Sequence, residues 1–317
     1  MTLLVTGASG FVGKAVCLAA QSRGLQVRAA VRTLASIDAE PPIHRLAVGE
    51  IHGATDWHKA LEECDCVIHL AAMAHKPLGS DPNALASLHA INVEGALRLA
   101  SQAADLGVRR LVFLSSIKAW GEASQPGHPA REDDACHPED AYGRSKLVAE
   151  QALRALASER GLELVIVRSP IVYGPGVKAN FAALVRAISA GWPLPLGAVS
   201  NARSLVALDN LVDFLLCCAT HSRAAGEVFN VSDGADLSTA DLVRILATTE
   251  GRPARLFPVP ASWLQFAGRL LGRAETVRRL VDNLQVDTNK AQQVLGWHPP
   301  LTVEQGMRRL LAGGTLQ

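Results

Sequence analysis

Residues 6–13 read TGASGFVG. An apolar run, Leu3 to Val5, precedes them. FVGKAVCLAAQSRG (11–24) follows with apolar residues at helical spacing and a stop at Gly24. Strand, glycine turn and helix in that order suit a dinucleotide. One glycine makes the tight turn, a second lets backbone approach a pyrophosphate, and a third lets helix and strand pack closely. The free N–H groups of the helix start then face the phosphates. Gly7, Gly10 and Gly13 hold the three places, with Phe11 and Val12 beside the phosphates. The spacing is GxxGxxG, which selects one branch of the dinucleotide binders.

The same rhythm continues outward. QVRAAVR (26–32), HRLAVGEI (44–51), CVIHLAA (66–72), RLVFLSS (110–116) and ELVIVRSP (163–170) read as strands. Residues 57–64, 84–107 and 141–161 read as helices between them. Alternation of this kind implies an α/β fold, a Rossmann-type doubly wound parallel sheet. After Tyr173 the pattern turns to helices punctuated by proline. The expected division is a dinucleotide domain of 1–172 and 203–233, with a smaller, mostly helical lobe of 173–202 and 234–317. Residues 122–140 read as an acidic loop that could border a cleft.

Composition narrows the function. Apolar residues make up 49% of 317 and aromatics only 4%, which suits aliphatic helices on a parallel sheet. A net charge of +1 gives no general pull on nucleic acid. No signal peptide and no bilayer-length apolar run is read, so the expected location is cytoplasmic. The six cysteines lack CxxC spacing and no histidine set completes a zinc site, so free thiols and no metal are expected. ASWLQFAGRLLG (261–272) is amphipathic and reads as a lobe helix, with contact to a membrane surface as the alternative.

AYGRSK (141–146) carries the chemistry. Tyr142 and Lys146 stand at i and i+4, on one face of a helix. A nearby ammonium favours phenolate over phenol, which brings a tyrosine toward acid–base use near neutrality. Ser116 ends the preceding strand, at the sheet edge where open parallel sheets bind ligands. Its hydroxyl could hold a carbonyl oxygen. Strand two ends in Val31 and Arg32, where an acidic residue would bind ribose hydroxyls. Arginine there pairs with a 2′-phosphate, which favours NADP(H) over NAD(H). Glu50 and Ile51 could meet the adenine.

With TGASGFVG, VIHLAA, NVEG, FLSSIKAWGE, YGRSK, VRSPIVYGPG, RSLVALDNLVD and VDTNKAQQVLGWHPP, the chain resembles an extended short-chain dehydrogenase/reductase of the NAD-dependent epimerase/dehydratase family, almost end to end. The resemblance implies a triad of Ser116, Tyr142 and Lys146, with Lys146 also holding the nicotinamide ribose. It implies cofactor contacts at Leu70, Ala71, Ala72 and Asn92. It implies substrate diphosphate contacts at Asn180 and Arg203, a UDP-sugar substrate and a homodimer built on helices 84–107 and 141–161.

Departures from the family pattern separate its branches. Dehydratases carry Asp-Glu after the triad serine; Ile117 and Lys118 stand there instead, and Ile117 can move no proton. The 4-epimerases usually carry asparagine where Ile171 stands, and an acidic residue where Arg32 stands. SSIKAWGE and LQVDTNKAQQVLGW are similar to bacterial 4-ketoreductases of lipopolysaccharide sugar pathways. The expected activity is therefore reduction of the 4-keto group of a UDP-linked 2-acetamido-2,6-dideoxyhexos-4-ulose, with Lys118 reaching toward substrate. Alternatives are a UDP-glucose or UDP-N-acetylglucosamine 4-epimerase with tightly bound NAD, and a non-catalytic dinucleotide sensor.

Overall fold

A computed structural model describes residues 1–34, 43–74 and 81–312. Its strands are β1 (Thr2–Thr6), β2 (Gln26–Val31), β3 (His44–Ala47), β4 (Cys66–His69), β5 (Arg110–Ser116), β6 (Glu163–Ser169), β7 (Ile171–Tyr173), β8 (Leu205–Ala207) and β9 (Val228–Asn230). Seven of them form one sheet in the order β3-β2-β1-β4-β5-β6-β9. Every pairing in it is parallel. The expected doubly wound sheet is present. Chain order reverses between β1 and β4, and ligands bind beyond the strand ends at such a switch.

Two expected strands end early. The third stops at Ala47 and the fourth at His69, which leaves residues 70–72 beyond the carboxyl edge of the sheet. The helices facing the sheet are α1 (Phe11–Ser22), α2 (His58–Leu61), α3 (Pro82–His89), α4 (Gly95–Asp105) and α5 (Ala141–Arg160). The expected single helix over 84–107 is broken by a π-helical turn, Ala90–Glu94. The extra residue in that turn shifts the helix face, and Asn92 within it is buried. Gly95 follows because a side chain would not fit: a Cβ there would lie 2.5 Å from Ile51 Cγ2.

The chain continues through α6 (Ala179–Ser189), α7 (Leu208–Thr220), α8 (Thr239–Thr249), α9 (Ala261–Leu270), α10 (Ala274–Val281), α11 (Asn289–Leu295) and α12 (Val303–Ala312). One apolar core lies between the sheet and α1, α7 and α11, and another between the sheet and α2, α4 and α5. A third joins Tyr173, Val185, Leu246 and Met307 around the two-stranded β7–β8 sheet. Strand β8 serves two cores by alternation. Leu205 and Ala207 enter the third core, and Val206 enters the first. Among the described residues no helix is long and apolar enough to cross a membrane.

Candidate active site

The glycine turn lies at the switch point. Gly7 has φ +64°, and a Cβ on it would sit 2.9 Å from the Ala71 nitrogen. A Cβ on Gly13 would stand 2.2 Å from the Gly7 oxygen, so α1 seats directly on the turn. Gly10 N-caps α1 with no side-chain cap, and its N–H donates to the Gly7 oxygen at 2.8 Å. The first turn of α1 holds no acidic residue. A backbone cradle that a Cβ would fill, at an uncapped helix start, fits a dinucleotide diphosphate. Phe11 and Val12 are half-buried behind it.

Alongside lies a cleft of about 290 Å³ lined by Ser9, Arg32, Thr33, Gly49 and Glu50. Arg32 is exposed at its rim and has no carboxylate partner among the described residues. Ile51 turns instead toward Gly95 and the sheet core.

Residues 70–74 leave β4 under tight control. The N–H groups of Leu70 and Ala71 donate to Thr6 Oγ1 at 3.2 and 3.3 Å. Asn92 Oδ1 accepts from the Met73 N–H at 2.8 Å, and its amide donates to Met73 O and to Ser145 Oγ. Asn92 therefore ties the loop after β4 to α5. Ala72 is half-buried in that loop.

Helix α5 starts at Asp140, whose carboxylate accepts from the Gly143 N–H at 2.6 Å. Gly143 is forced by proximity, since a Cβ on it would lie 2.3 Å from the Lys118 oxygen. That contact sets α5 against the short 3₁₀ turn Ile117–Ala119 that follows β5. Tyr142 and Ser116 are brought together as a result, close enough for the serine hydroxyl to act on the tyrosine. Burial first, then the Asp140 carboxylate, pushes the Tyr142 hydroxyl above its ordinary pKa; the Ser116 hydroxyl pulls the other way.

Lys146 is buried one turn further on. Its ammonium donates to Leu114 O at 2.8 Å and lies 4.5 Å over the Phe113 ring. Burial lowers its pKa to about 8, against the Glu150 carboxylate. The sequence reading had this ammonium lowering the tyrosine pKa. In the structure burial, Asp140 and Ser116 are the groups that shift Tyr142.

Two buried clusters beside the site were not singled out from sequence. Glu150 is fully buried and bonded to Arg168 at 2.7 Å and Ser115 at 2.5 Å, one helical turn behind Lys146. His69 Nδ1 and Thr6 Oγ1 are 2.7 Å apart, and the ring stacks on Phe113. Burial and Lys146 pull its pKa down to about 3, so it stays neutral. Strand register pairs Ser115 with Arg168 and His69 with Thr6 and Phe113, and helix α5 adds Glu150; no local motif marks them.

Arg203 is buried, with one guanidinium nitrogen on Asp282 O at 3.0 Å. Burial draws its pKa below the ordinary value, Asp282 opposes, and the nearby Arg279 adds to the drop. Arg279 lies on α10, bonded to Glu275, and its Nε is buried without a partner. Two like charges held close, one of them short of a partner, make a place for an anion. Arg279 was missed because nothing local in RR at 278–279 distinguishes it from a surface pair.

The other two expected substrate residues differ in how they are held. Lys118 is held by Glu122 at 2.9 Å and Asp140 at 2.5 Å. Asn180 is exposed in the first turn of α6 and makes no side-chain hydrogen bond among the described residues. Burial works against the Asp140 carboxylate, yet Lys118 and the Gly143 N–H hold its pKa below the ordinary value.

A glycine cradle at a sheet switch point, with a neighbouring tyrosine and serine and a buried lysine one turn on, defines an enzyme of the short-chain dehydrogenase/reductase class. A profile of the NAD dependent epimerase/dehydratase family matches residues 3–232, and the chain belongs to that family. It is 42% identical over 310 residues to a UDP-glucose 4-epimerase of Vibrio cholerae, covering 97% of this chain and 94% of that one. A solved UDP-glucuronic acid 4-epimerase from Bacillus cereus in complex with NAD has the same fold: TM-score 0.77 at 22% identity, over 98% of this chain and 97% of that one. So does a UDP-glucose 4-epimerase from Thermotoga maritima with UDP-glucose: TM-score 0.77 at 23% identity, over 99% and 98%.

Proposed function

We propose that the chain interconverts UDP-hexoses at C4, as a UDP-glucose or UDP-N-acetylglucosamine 4-epimerase that keeps NAD bound. The observation that carries this is the 42% identity, over 97% of the chain, with the Vibrio cholerae UDP-glucose 4-epimerase. It displaces reduction as the leading reading, since that identity far exceeds the 27% shared with a GDP-6-deoxy-D-mannose reductase of Pseudomonas aeruginosa.

The nicotinamide, when bound, supplies hydride acceptance and return at C4. The chain supplies the rest. Gly7, Gly10 and Gly13 seat the diphosphate, and Leu70, Ala71, Ala72 and Asn92 line the path from adenosine to nicotinamide. Tyr142 takes the proton of the sugar 4-hydroxyl and gives it back to the same oxygen. Ser116 holds that oxygen and the tyrosine hydroxyl together. Lys146, with a pKa of about 8, is mostly charged at neutral pH and holds the nicotinamide ribose with that charge. Arg203 and Arg279 take the substrate diphosphate by charge-assisted bonds, with Asn180 at the cleft edge. In this reading 1–172 and 203–233 bind the dinucleotide, and 173–202 with 234–317 bind the sugar nucleotide. Exposed Val148 on α5 and Leu106 after α4 suit pairing of two copies through those helices.

One observation favours a second reading. Arg32 at the rim of the Ser9–Glu50 cleft suits a 2′-phosphate, and an exchangeable NADPH suits net reduction of a 4-keto sugar nucleotide. The test is to mix purified protein with UDP-glucose or UDP-N-acetylglucosamine and no added cofactor. Conversion to the galacto epimer is expected. No conversion, with stoichiometric NADPH loss on a 4-keto sugar nucleotide, would establish the reductase instead.

A further inference from the structure

Residues 251–274, GRPARLFPVPASWLQFAGRLLGRA, contain four arginines and no acidic residue. The whole chain nets only +1, so positive charge is concentrated here. Arg252, Arg255, Arg269 and Arg273 are all exposed. Arg252 lies 3.8 Å from Glu250. The other three have no carboxylate partner among the described residues.

Helix α9 lies within this stretch. Its inner face packs on α10 at Gly268, where a Cβ would stand 2.7 Å from Val277 Cγ2. The opposite face carries Trp263, Phe266 and Leu270 at i, i+3 and i+7, one stripe of a helix. They are 72%, 64% and 73% exposed, and Leu271 just beyond is 75% exposed. Trp192, at 65%, is a comparably exposed large apolar side chain. It belongs to the same neighbourhood: the next residue back, Gly191, accepts a bond from Arg255 at 3.2 Å.

We infer that this face of α9 docks on an anionic lipid surface. Tryptophan, phenylalanine and leucine on one side, rimmed by arginine, is the make-up of a helix that lies in a membrane interface. At ten residues α9 is about 15 Å long, which allows it to lie flat and forbids it to span. The charge excludes the simplest other occupant. A two-fold contact sets a patch against itself, and here it would bring arginine against arginine. Anionic headgroups neutralise the rim while the apolar stripe enters the acyl boundary. The two weak signals add.

Sedimentation of the full chain with vesicles tests this. Vesicles of equal phosphatidylglycerol and phosphatidylcholine should carry the protein down, vesicles of phosphatidylcholine alone should not, and added salt should release it. Trp263→Ser with Phe266→Ser should weaken partitioning by about tenfold or more, with the circular dichroism spectrum and turnover in solution unchanged. Arg269→Gln with Arg273→Gln should weaken it by about fivefold per arginine, and carries the test if the first pair fails to fold. Three results overturn the inference. One is no sedimentation of the wild type with anionic vesicles. Another is partitioning that neither pair of changes alters. The third is light scattering in which the wild type is dimeric and the Trp263/Phe266 variant monomeric, which would assign the face to a second copy.

Discussion

The chain has two tyrosines, and their surroundings are opposite. Tyr173 is wholly buried where the small sheet meets α12. Its hydroxyl donates to Asp233 Oδ2 at 2.6 Å, and Asp233 also accepts from the Ala207 N–H and the Asn210 amide. Even the space behind it is closed, since a Cβ on Gly306 would lie 2.5 Å from that hydroxyl. Tyr142 is half-buried, and its neighbour is a serine hydroxyl rather than a carboxylate locked by further donors. Burial is the leading cause of a raised pKa at both. A raised pKa therefore does not mark the acid–base residue. Surroundings separate the two: Tyr173 is locked to a carboxylate inside a joint, and Tyr142 stands beside the Ser116 hydroxyl at the end of β5.

That contrast can be broken in graded ways. Tyr142→Phe should cut kcat by about a thousandfold while bound NAD and thermal stability stay unchanged; turnover near the wild-type level would refute its role. Ser116→Ala should cost about a hundredfold in kcat, read in the same epimerisation assay. The pH profile should come next. Lys146 loses its charge as pH rises through about 8, so kcat should fall by about tenfold per unit above that. Stability should move the other way. The buried site lowers the lysine pKa, so the unfolded chain holds the proton more tightly. Between pH 8 and the ordinary lysine pKa, the contribution of Lys146 to stability rises with pH.

Tyr173→Phe should have the smallest effect on turnover, within about twofold. It should instead lower unfolding free energy by about 1–3 kcal/mol, because Asp233 loses a buried donor. Urea denaturation reads this directly. A large kcat loss with unchanged stability would erase the distinction between the two tyrosines.

Much of this was legible because the relevant residues are close in sequence. TGASGFVG holds its turn, its helix cap and its packing glycine within eight positions, and YGRSK places Tyr142 and Lys146 one helical turn apart. The early strands followed from apolar runs between turn residues. What stayed hidden depends on chain segments that meet only on folding. Asn92 was named by resemblance, but the π-helical turn that buries it against Met73 and Ser145 leaves no mark in the periodicity. Arg279 matters through Arg203, and the two are distant in sequence. Lys118 was expected to point at substrate, but Glu122 and Asp140 hold it. The choice between reduction and epimerisation was hidden for a chemical reason. Both need the same proton at the same oxygen, so the triad cannot distinguish them, and Ile171 and Arg32 pulled the sequence reading toward reduction.

The central claim is that Tyr142 handles the proton at O4 while C4 loses and regains its own hydride. UDP-glucose deuterated at C4, incubated with purified protein and no added cofactor, tests it by NMR. The account predicts UDP-galactose that keeps the deuterium at C4, with none exchanged for solvent hydrogen. Loss of the deuterium to water, or no galacto product until NADPH is supplied, would contradict it.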